Sequence, residues 1–559
     1  MYSDDMVGEL AVAYDREVGQ RRDASDLQSP VVTHQDWFAP HLAKLRAALD
    51  AKPKPHVPSV DVSVFGFSRG GAEAVAFCHL FGQLLDGGKL AGIKANIRFL
   101  GVFDVVASVG GSASVAKTLP MPGALFDGHW SWANFVDKPL PECVKKGVHL
   151  IAAHEMRMNF PVTRQVGGAM QEYLYPGAHS DVGGGYAPGE QGKGREGQAS
   201  LLSQIPLAHM YLAAREAGVP LLAWSEMQVE IREDFEIDAS LASAWTAYTR
   251  ALNGHGGSLK KHMALFYRWR AMRLSNLAST ASFQAASEQD QEDLLSANQL
   301  LVGDLAALTY RQSRVQVDRR SVADRPFYGP EDRLRINQWQ GIRANSHTAL
   351  DEWEQFAIGH FEQAVPLPDE AARFFDDYVH DSFASFYLAG ETSEYDKRKR
   401  VKEIMRKDPD DLNAFETRVR DLTLRAQAAL DKRVRGESLT TEEARLADEA
   451  QYGTPYPVMK DSDAGDLIGG IDKVAVRTQT ATRREGGGYI LRRGYYPHSG
   501  FFIRRSIHDD ELMTQPNEDG VAVNYVWSDH LAVDVPRAMV KQTAMAAATS
   551  RQAAPELIS

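Results

Sequence analysis

A chain that passes from an apolar strand straight into a helix through Gly-x-Ser-x-Gly has few ways to fold at that point, and the stretch Asp61-Val-Ser-Val-Phe-Gly-Phe-Ser-Arg-Gly-Gly-Ala-Glu-Ala74 does so. The β-branched and aromatic residues before Gly66 ask for a strand, and the small residues after Gly70 ask for a helix. The tight turn between them lifts the Ser68 hydroxyl into an exposed, strained position. Glycine is expected at both 66 and 70 because strand and helix leave no room there for a Cβ. A helix beginning here aims its free N–H groups and the positive end of its dipole at the serine, so the backbone N–H of Arg69 is the first candidate oxyanion donor. Ser68 therefore reads as an attacking nucleophile. So short a pattern also arises by chance, and the strand before it and helix after it are what give it meaning.

Size and charge bound what can surround this turn. At 559 residues the chain exceeds one ordinary core, so two or three domains, or one domain with large insertions, are expected. A hydrophobic fraction of 44% with 24% charged residues is that of a soluble globular protein, and a formal net charge of −12 argues against a general nucleic-acid binder. Two cysteines, Cys78 and Cys143, exclude a disulfide framework. No apolar run approaches a transmembrane span, and the opening Met1-Tyr-Ser-Asp-Asp-Met6 is acidic rather than a basic, apolar leader.

Taken in order, residues 1–60 form a polar N-terminal segment with one expected helix, Gln35 to Ala51, and no convincing strand before the one that carries Ser68. Ile97-Arg-Phe-Leu-Gly-Val-Phe-Asp104 is a second apolar strand with a carboxylate at its carboxyl end, followed by the small-residue loop 107–111. Such strand ends form the rim where open α/β sheets bind ligands. Val148 to Met158 suits either a helix or a buried strand, and Glu172 to Pro176 is a short strand leading into Gly177-Ala-His-Ser-Asp-Val-Gly-Gly-Gly-Tyr186, a glycine-loosened loop that presents His179 and Asp181. From about 190 to 345 the pattern is a helical insertion or lid: a flexible loop over 189–197, then helices at Leu201–Gly218, Ser240–Leu252, Leu259–Leu277 and Asn298–Leu308. Aromatic residues recur at spacings of three and four between Leu350 and Tyr387, which suits packed core better than membrane contact. The expected architecture is thus an α/β catalytic unit over 61–390, a C-terminal α+β region over 391–540 and a disordered tail over 541–559. That C-terminal region has a highly charged helical pair over 395–451 and short strands at 474–480, 488–491, 501–504 and 521–526, among which 489–505 interleaves aromatics with arginines in a way that suits an anionic lipid surface or an ordinary hairpin.

A serine hydroxyl attacks only when a base takes its proton, and that base needs an orienting acid. Elbow enzymes supply these in the chain order serine, acid, histidine. With 17 histidines in the chain, context must choose. Ser68, Asp104 and His179 satisfy the order with both partners at strand ends. Asp181 as acid with His380, from Tyr378-Val-His-Asp-Ser382, as base is the alternative, and His154 ranks third because a histidine among apolar residues is more often a satisfied core group. No His-Glu-x-x-His, paired Cys-x-x-Cys or Asp-rich loop offers a metal site, and Gly183-Gly-Gly185 lacks the Lys-Ser/Thr of a phosphate loop, so neither metal nor cofactor is expected.

Four blocks in order, Gly66-Phe-Ser-Arg-Gly70 with Ala72 and Glu73, Phe103-Asp-Val-Val-Ala-Ser-Val-Gly110, His154-Glu-Met-Arg157 with Phe160, and Pro176-Gly-Ala-His-Ser-Asp-Val-Gly-Gly-Gly-Tyr186, resemble the first family of type VI secretion lipase effectors. Those belong to a wider α/β-hydrolase group, and Tyr378 to Ser382 resembles a later motif of the same effectors. The resemblance covers about 60–390. It implies an α/β-hydrolase-like parallel sheet and a serine phospholipase of the A type that cleaves acyl esters of membrane glycerophospholipids. It also implies an antibacterial role, delivery from the producer's cytoplasm to the target cell's membrane or periplasm, contact with a secretion spike protein, and an immunity protein as partner. Members of the family carry a strand ending in Asp-Gly-Thr beside the nucleophile. No such segment precedes Val62, so the expectation is a sheet lacking that edge element, with one nameable oxyanion donor. The competing expectations are a truncated or inactive hydrolase module that serves as a binding partner, and a soluble carboxylesterase. For the phospholipase, the aromatic and basic stretches are expected near the mouth of the site.

Overall fold

The computed structural model describes residues 4–14, 34–51, 57–106, 139–157, 160, 162–163, 165, 169–252, 259–318, 350, 352–363, 365–384 and 394–452, with short stretches at 494–496, 503–504, 513–516, 522–525 and 535–541. Its organising layer is a parallel sheet in the order β1 (Ser59–Phe67), β3 (Ile93–Phe103), β4 (Gly147–Ala152), β6 (Met170–Tyr175), with the two-residue β2 (Lys89–Leu90) antiparallel to the start of β3. All six residues of β4 are buried. A central parallel strand has both faces covered and therefore loses the alternation that marks a half-exposed one, which is why Val148 onward fits helix or strand equally well from its pattern. The chain leaves the strand at Ala152.

Before the sheet lie α1 (Asp4–Tyr14) and α2 (His34–Asp50). The second matches the expected 35–51 helix, while the first has no counterpart in the sequence reading. After β1 the chain enters α3 (Ser68–Gln83), whose Ala72, Val75, Ala76, Cys78 and Phe81 pack on Ile97, Leu100 and Val102 to form the core on one side of the sheet. Burial pushes the Cys78 thiol up to about 12, so it behaves as a small apolar residue. Among the described residues no strand pairs with the outer side of β1, and Phe65 on it is 46% exposed.

The other side of the sheet is covered by helices. These begin with α4 (His179–Gly183) and α5 (Gln204–Glu216) and continue through Ala239–Ala251, Leu259–Arg273, Glu288–Asp318, Glu352–Gln363 and Asp369–Tyr378. Pro206 sits in the first turn of α5, where a backbone N–H has no intrahelical acceptor to lose. Asp238 caps the next helix by accepting from the Ser240 N–H at 2.7 Å. The aromatic stretch is core: Trp353, Phe374, Phe375 and Phe383 are buried, Phe374 stacks on Tyr248 and Phe375 on Trp269. This is the packed core expected of the 350–387 run, while most of the aromatic and basic stretch 489–505, expected near the mouth of the site, lies outside the described residues. The 189–197 segment is also not loose, because Gln191 and Lys193 are buried and bonded to the chain around Asp376 and Asp381. Residues 319–349 of the expected insertion lie outside the described residues.

Farther on, helices Glu394–Arg406, Ala414–Val434 and Thr441–Tyr452 form the charged region. Asn413 with Glu416, and Thr440 with Glu443, make reciprocal capping boxes. Arg398 meets Glu292, while Arg400 and Lys407 both meet Glu416, so part of the basic run is satisfied within the fold. Short strands follow at Gly494–Tyr496, Ile503–Arg504, Met513–Pro516 and Ala522–Tyr525. The first pairs antiparallel with the second and parallel with β5 (Val162–Thr163), tying the C-terminal region to the sheet-bearing part. The expected strands at 474–480 and 488–491, the 107–111 loop and most of the 541–559 tail lie outside the described residues. No helix among the described residues is long and apolar enough to cross a membrane.

Candidate active site

The turn between β1 and α3 has the strained geometry its sequence demands. Ser68 has φ 57°, a region that a residue with a Cβ enters at a cost of roughly 1–3 kcal/mol and keeps only where its surroundings enforce it. At Gly66 a Cβ would collide with the Gly70 carbonyl, so glycine is obligatory there. At Gly70 nothing lies within 4 Å of such a Cβ, which corrects the expected need for glycine on both sides. The close approach falls one residue later, where a Cβ on Gly71 would lie 3.0 Å from Val105 Cγ2.

Parallel pairing of β1 with β3 aligns Phe67 with Phe103, so the next residues, Ser68 and Asp104, leave neighbouring strands at one rim. The Val106 N–H donates to the Ser68 carbonyl at 3.2 Å and fastens the two turns together. Asp104 is fully buried and also has positive φ, 41°. Its Oδ1 accepts the Ala152 N–H at 3.0 Å from the end of β4, and its Oδ2 lies 2.6 Å from His179 Nδ1. An ionised carboxylate only accepts, so Nδ1 carries a proton toward Asp104, and in the neutral imidazole Nε2 keeps its lone pair. The His179 ring packs between Phe67, at 4.6 Å, and Phe160, at 5.1 Å. Ser68 and Asp104 thus leave adjacent strand ends on the carboxyl rim, and His179, just after β6, pairs with Asp104 there.

The expected glycine-loosened loop is instead a short buried helix, α4, on which His179, Asp181 and Val182 are all buried. Gly183 serves close packing, since a Cβ there would run into the Phe67 ring, whereas Gly184 and Gly185 take positive φ, 84° and 131°. The alternative pair is also formed. His380 Nδ1 lies 2.6 Å from Asp181 Oδ1, and Asp181 Oδ2 accepts the His380 N–H at 3.1 Å and the Ala178 N–H at 2.8 Å. The His380 ring lies flat on Tyr186, 3.8 Å between centroids, and its buried Nε2 has no hydrogen-bond partner among the described residues. His154 is a core group. Its Nδ1 accepts the Gly177 N–H at 2.9 Å, its Nε2 donates to the His262 carbonyl at 3.3 Å, and burial pulls it down to about 3, so it stays neutral.

Two supporting pairs were assigned no chemistry from the sequence, although Glu155 and Arg157 stand in the third block of the family resemblance. Buried His149 accepts the Val105 N–H at Nε2, 3.0 Å, and donates from Nδ1 to Glu172 at 2.9 Å, steadying the turn that follows Asp104. A histidine inside the otherwise apolar run Val148 to Ala153 was the available signal. Glu155 binds Arg157 through both carboxylate oxygens and accepts the His179 N–H at 3.3 Å, while the Arg157 guanidinium lies 3.9 Å over Phe160. Among the described residues no group of His, Cys, Asp and Glu could hold a metal ion. The site sets a serine of positive φ at the start of α3 and, at the neighbouring strand end, a buried Asp104–His179 pair, the kinds of group that nucleophilic ester hydrolysis uses.

Comparison with known proteins follows the same residues. Positions 86–213 match a family model described as the catalytic domain of Tle1-like phospholipase effectors of the type VI secretion system. That span holds Asp104, His179 and Asp181 but neither Ser68 nor His380. No curated protein matches. Among solved structures, the chain is similar to an uncharacterized protein from Pseudomonas aeruginosa, with 24% identity over 68% of this chain and 66% of that one and a TM-score of 0.45. It is also similar to the Tle1 effector solved bound to the VgrG spike, with 19% identity over 40% of this chain and 61% of that one and a TM-score of 0.24. The chain spans just under two thirds of the length of each. The fold is α/β with a parallel sheet and many helices, and its segment 86–213 is similar to a type VI phospholipase effector catalytic domain.

Proposed function

We propose that this protein is a serine ester hydrolase that cleaves acyl chains from membrane glycerophospholipids, acting as a type VI effector. Ser68 Oγ attacks the ester carbonyl while His179 Nε2 takes its proton, and Asp104 steadies the imidazolium that forms. The tetrahedral oxyanion is held by the Arg69 N–H at the start of α3, and collapse expels the lysophospholipid alkoxide, which receives the proton from His179. Water then enters and attacks the acyl carbon as His179 takes its proton, and collapse releases the fatty acid while His179 returns that proton to Ser68 Oγ. The observation that carries this reading is the 2.6 Å bond between Asp104 and His179 at the strand ends beside a serine of φ 57°. The lipid substrate and the delivery route rest on the phospholipase effector description matched by 86–213. A spike protein of the secretion apparatus and an immunity protein in the producer are the protein partners this reading carries, with the target cell's membrane or periplasm as the place of action.

The test is release of a fluorogenic acyl chain from phospholipid vesicles by purified protein. Wild type should release it and Ser68→Ala should lose at least a thousandfold. Equal background from both proteins would leave an inactive binding module as the better description. Preference for a monomeric short ester over vesicles at equal concentration would favour a soluble carboxylesterase.

A further inference from the structure

Residues two apart on a helix lie about 200° apart around its axis. With His179 turned to Asp104 and Phe67, Asp181 therefore faces the opposite side of α4, toward the segment after helix Asp369–Tyr378. There its carboxylate accepts three N–H groups: Ala178 at the start of α4, and both the backbone and Nδ1 of His380. Charge-assisted bonds of this kind, shielded from water, are among the stronger polar contacts a fold can make.

The segment carrying His380 is itself held. Gln191 exchanges hydrogen bonds with the Asp381 backbone in both directions, at 2.8 and 3.0 Å, and Asp381 also pairs with buried Arg270 at 3.2 Å. Lys193 Nζ donates to the Phe375 and Asp376 carbonyls. Asp181 thus joins a short five-residue helix, too short to be stable alone, to a well-anchored part of the helical layer. The atom of His380 that would take a proton in chemistry, Nε2, is the one that is closed in without a partner among the described residues.

We propose that Asp181 and His380 are a positioning pair: His380, through its Nδ1–H and backbone N–H, holds α4 so that the His179 ring stays aligned with Ser68. This rests on the reading of His179 as the base. It makes neither Asp181 nor His380 a catalytic residue, and assigns the helical layer a part in aligning the site.

Asparagine separates positioning from chemistry, because its Nδ2–H₂ replaces the Nδ1–H donor while nothing replaces Nε2. Two readouts are taken on full-length wild type, His380→Ala and His380→Asn. Hydrogen exchange of peptides covering 176–186 reads the seat of α4 whether or not the protein is an ester hydrolase. Labelling of Ser68 by a fluorophosphonate reads its activation without any lipid. His380→Ala should speed exchange across 176–186 by at least tenfold and slow labelling by about 10–100-fold, the scale expected when a reacting group is misplaced by about 1 Å. His380→Asn should stay within about threefold of wild type in both. Loss in His380→Asn equal to that in His380→Ala, or wild-type exchange in His380→Ala, overturns the proposal. Should His380→Ala fail to fold, His380→Asn decides alone by the same threefold limit. If wild type is not labelled at Ser68 at all, the serine-hydrolase reading fails, and exchange still settles the positioning.

Discussion

Two aspartate–histidine pairs, Asp104 with His179 and Asp181 with His380, have the same 2.6 Å bond through Nδ1 and are both buried. They differ in what surrounds them. Asp104 sits in a strained turn at a strand end, tied by backbone to the elbow, and its histidine leans on Phe67 next to Ser68. Asp181 sits on the far side of α4, and its histidine lies under Tyr186 with Nε2 enclosed. The bond within a dyad therefore says little about whether it can do acid–base work. The strand-end register that places a serine beside one of the two pairs says much more.

The sharpest way to break this comparison is to replace each carboxylate by its amide. In the proposed triad Asp104 fixes the tautomer of His179, and an amide there can offer N–H where an acceptor is required. Asp104→Asn should lower kcat by about 10⁴-fold with KM little changed. Asp181→Asn keeps one oxygen for backbone N–H groups and should lose no more than about 100-fold. Steady-state kinetics on a short ester measures both. A loss in Asp181→Asn as deep as in Asp104→Asn would mean that the second pair is the chemical one.

The elbow offers the next test. A Cβ at position 66 would strike the Gly70 carbonyl, a backbone atom that cannot move without opening the turn, whereas a Cβ at 70 meets nothing within 4 Å. Gly66→Ala should cost about 3 kcal/mol or more, since the strain has no flexible side chain to absorb it. Gly70→Ala, in the first turn of α3, should change stability by less than about 1 kcal/mol. Urea melts of the two variants would show whether Ser68 is held from the strand side, as the packing indicates, or equally from both.

Much of the rim was legible because its signals are local. A strand-turn-helix motif, a carboxylate ending an apolar run and a histidine just after another strand can each be read within ten residues; the first two lie at the adjacent carboxyl ends of β1 and β3, and the third pairs with the carboxylate. What the sequence left open depends on long-range contacts. Whether Asp104 or Asp181 accompanied His179 or His380 could not be decided by spacing, because His380 reaches α4 from 199 residues away. The His149–Glu172 pair depends on β4 lying between β3 and β6, an order that no local pattern reports. Of the glycines after Asp181, Gly184 and Gly185 do take positive φ, but Gly183 does not serve looseness, since glycine also permits a close approach. At Gly183 the approaching group is the ring of Phe67.

His154 supplies the control for both pairs, a buried histidine with no carboxylate behind it. Its Nδ1 is occupied by the Gly177 N–H and its Nε2–H by the His262 carbonyl, and burial holds it near a pKa of about 3 against an ordinary 6.5. A depressed folded value means that the unfolded chain takes up the proton first as pH falls. The contribution of His154 is therefore fully present above pH 6.5 and is lost progressively down to about 3. Between pH 7 and 5 the loss should be about 2 kcal/mol, and His154→Gln, which cannot titrate but can still accept or donate a hydrogen bond, should remove most of that slope. Urea melts at pH 7, 6 and 5 compare the two proteins. An unchanged slope in His154→Gln would mean that the acid sensitivity does not arise at His154.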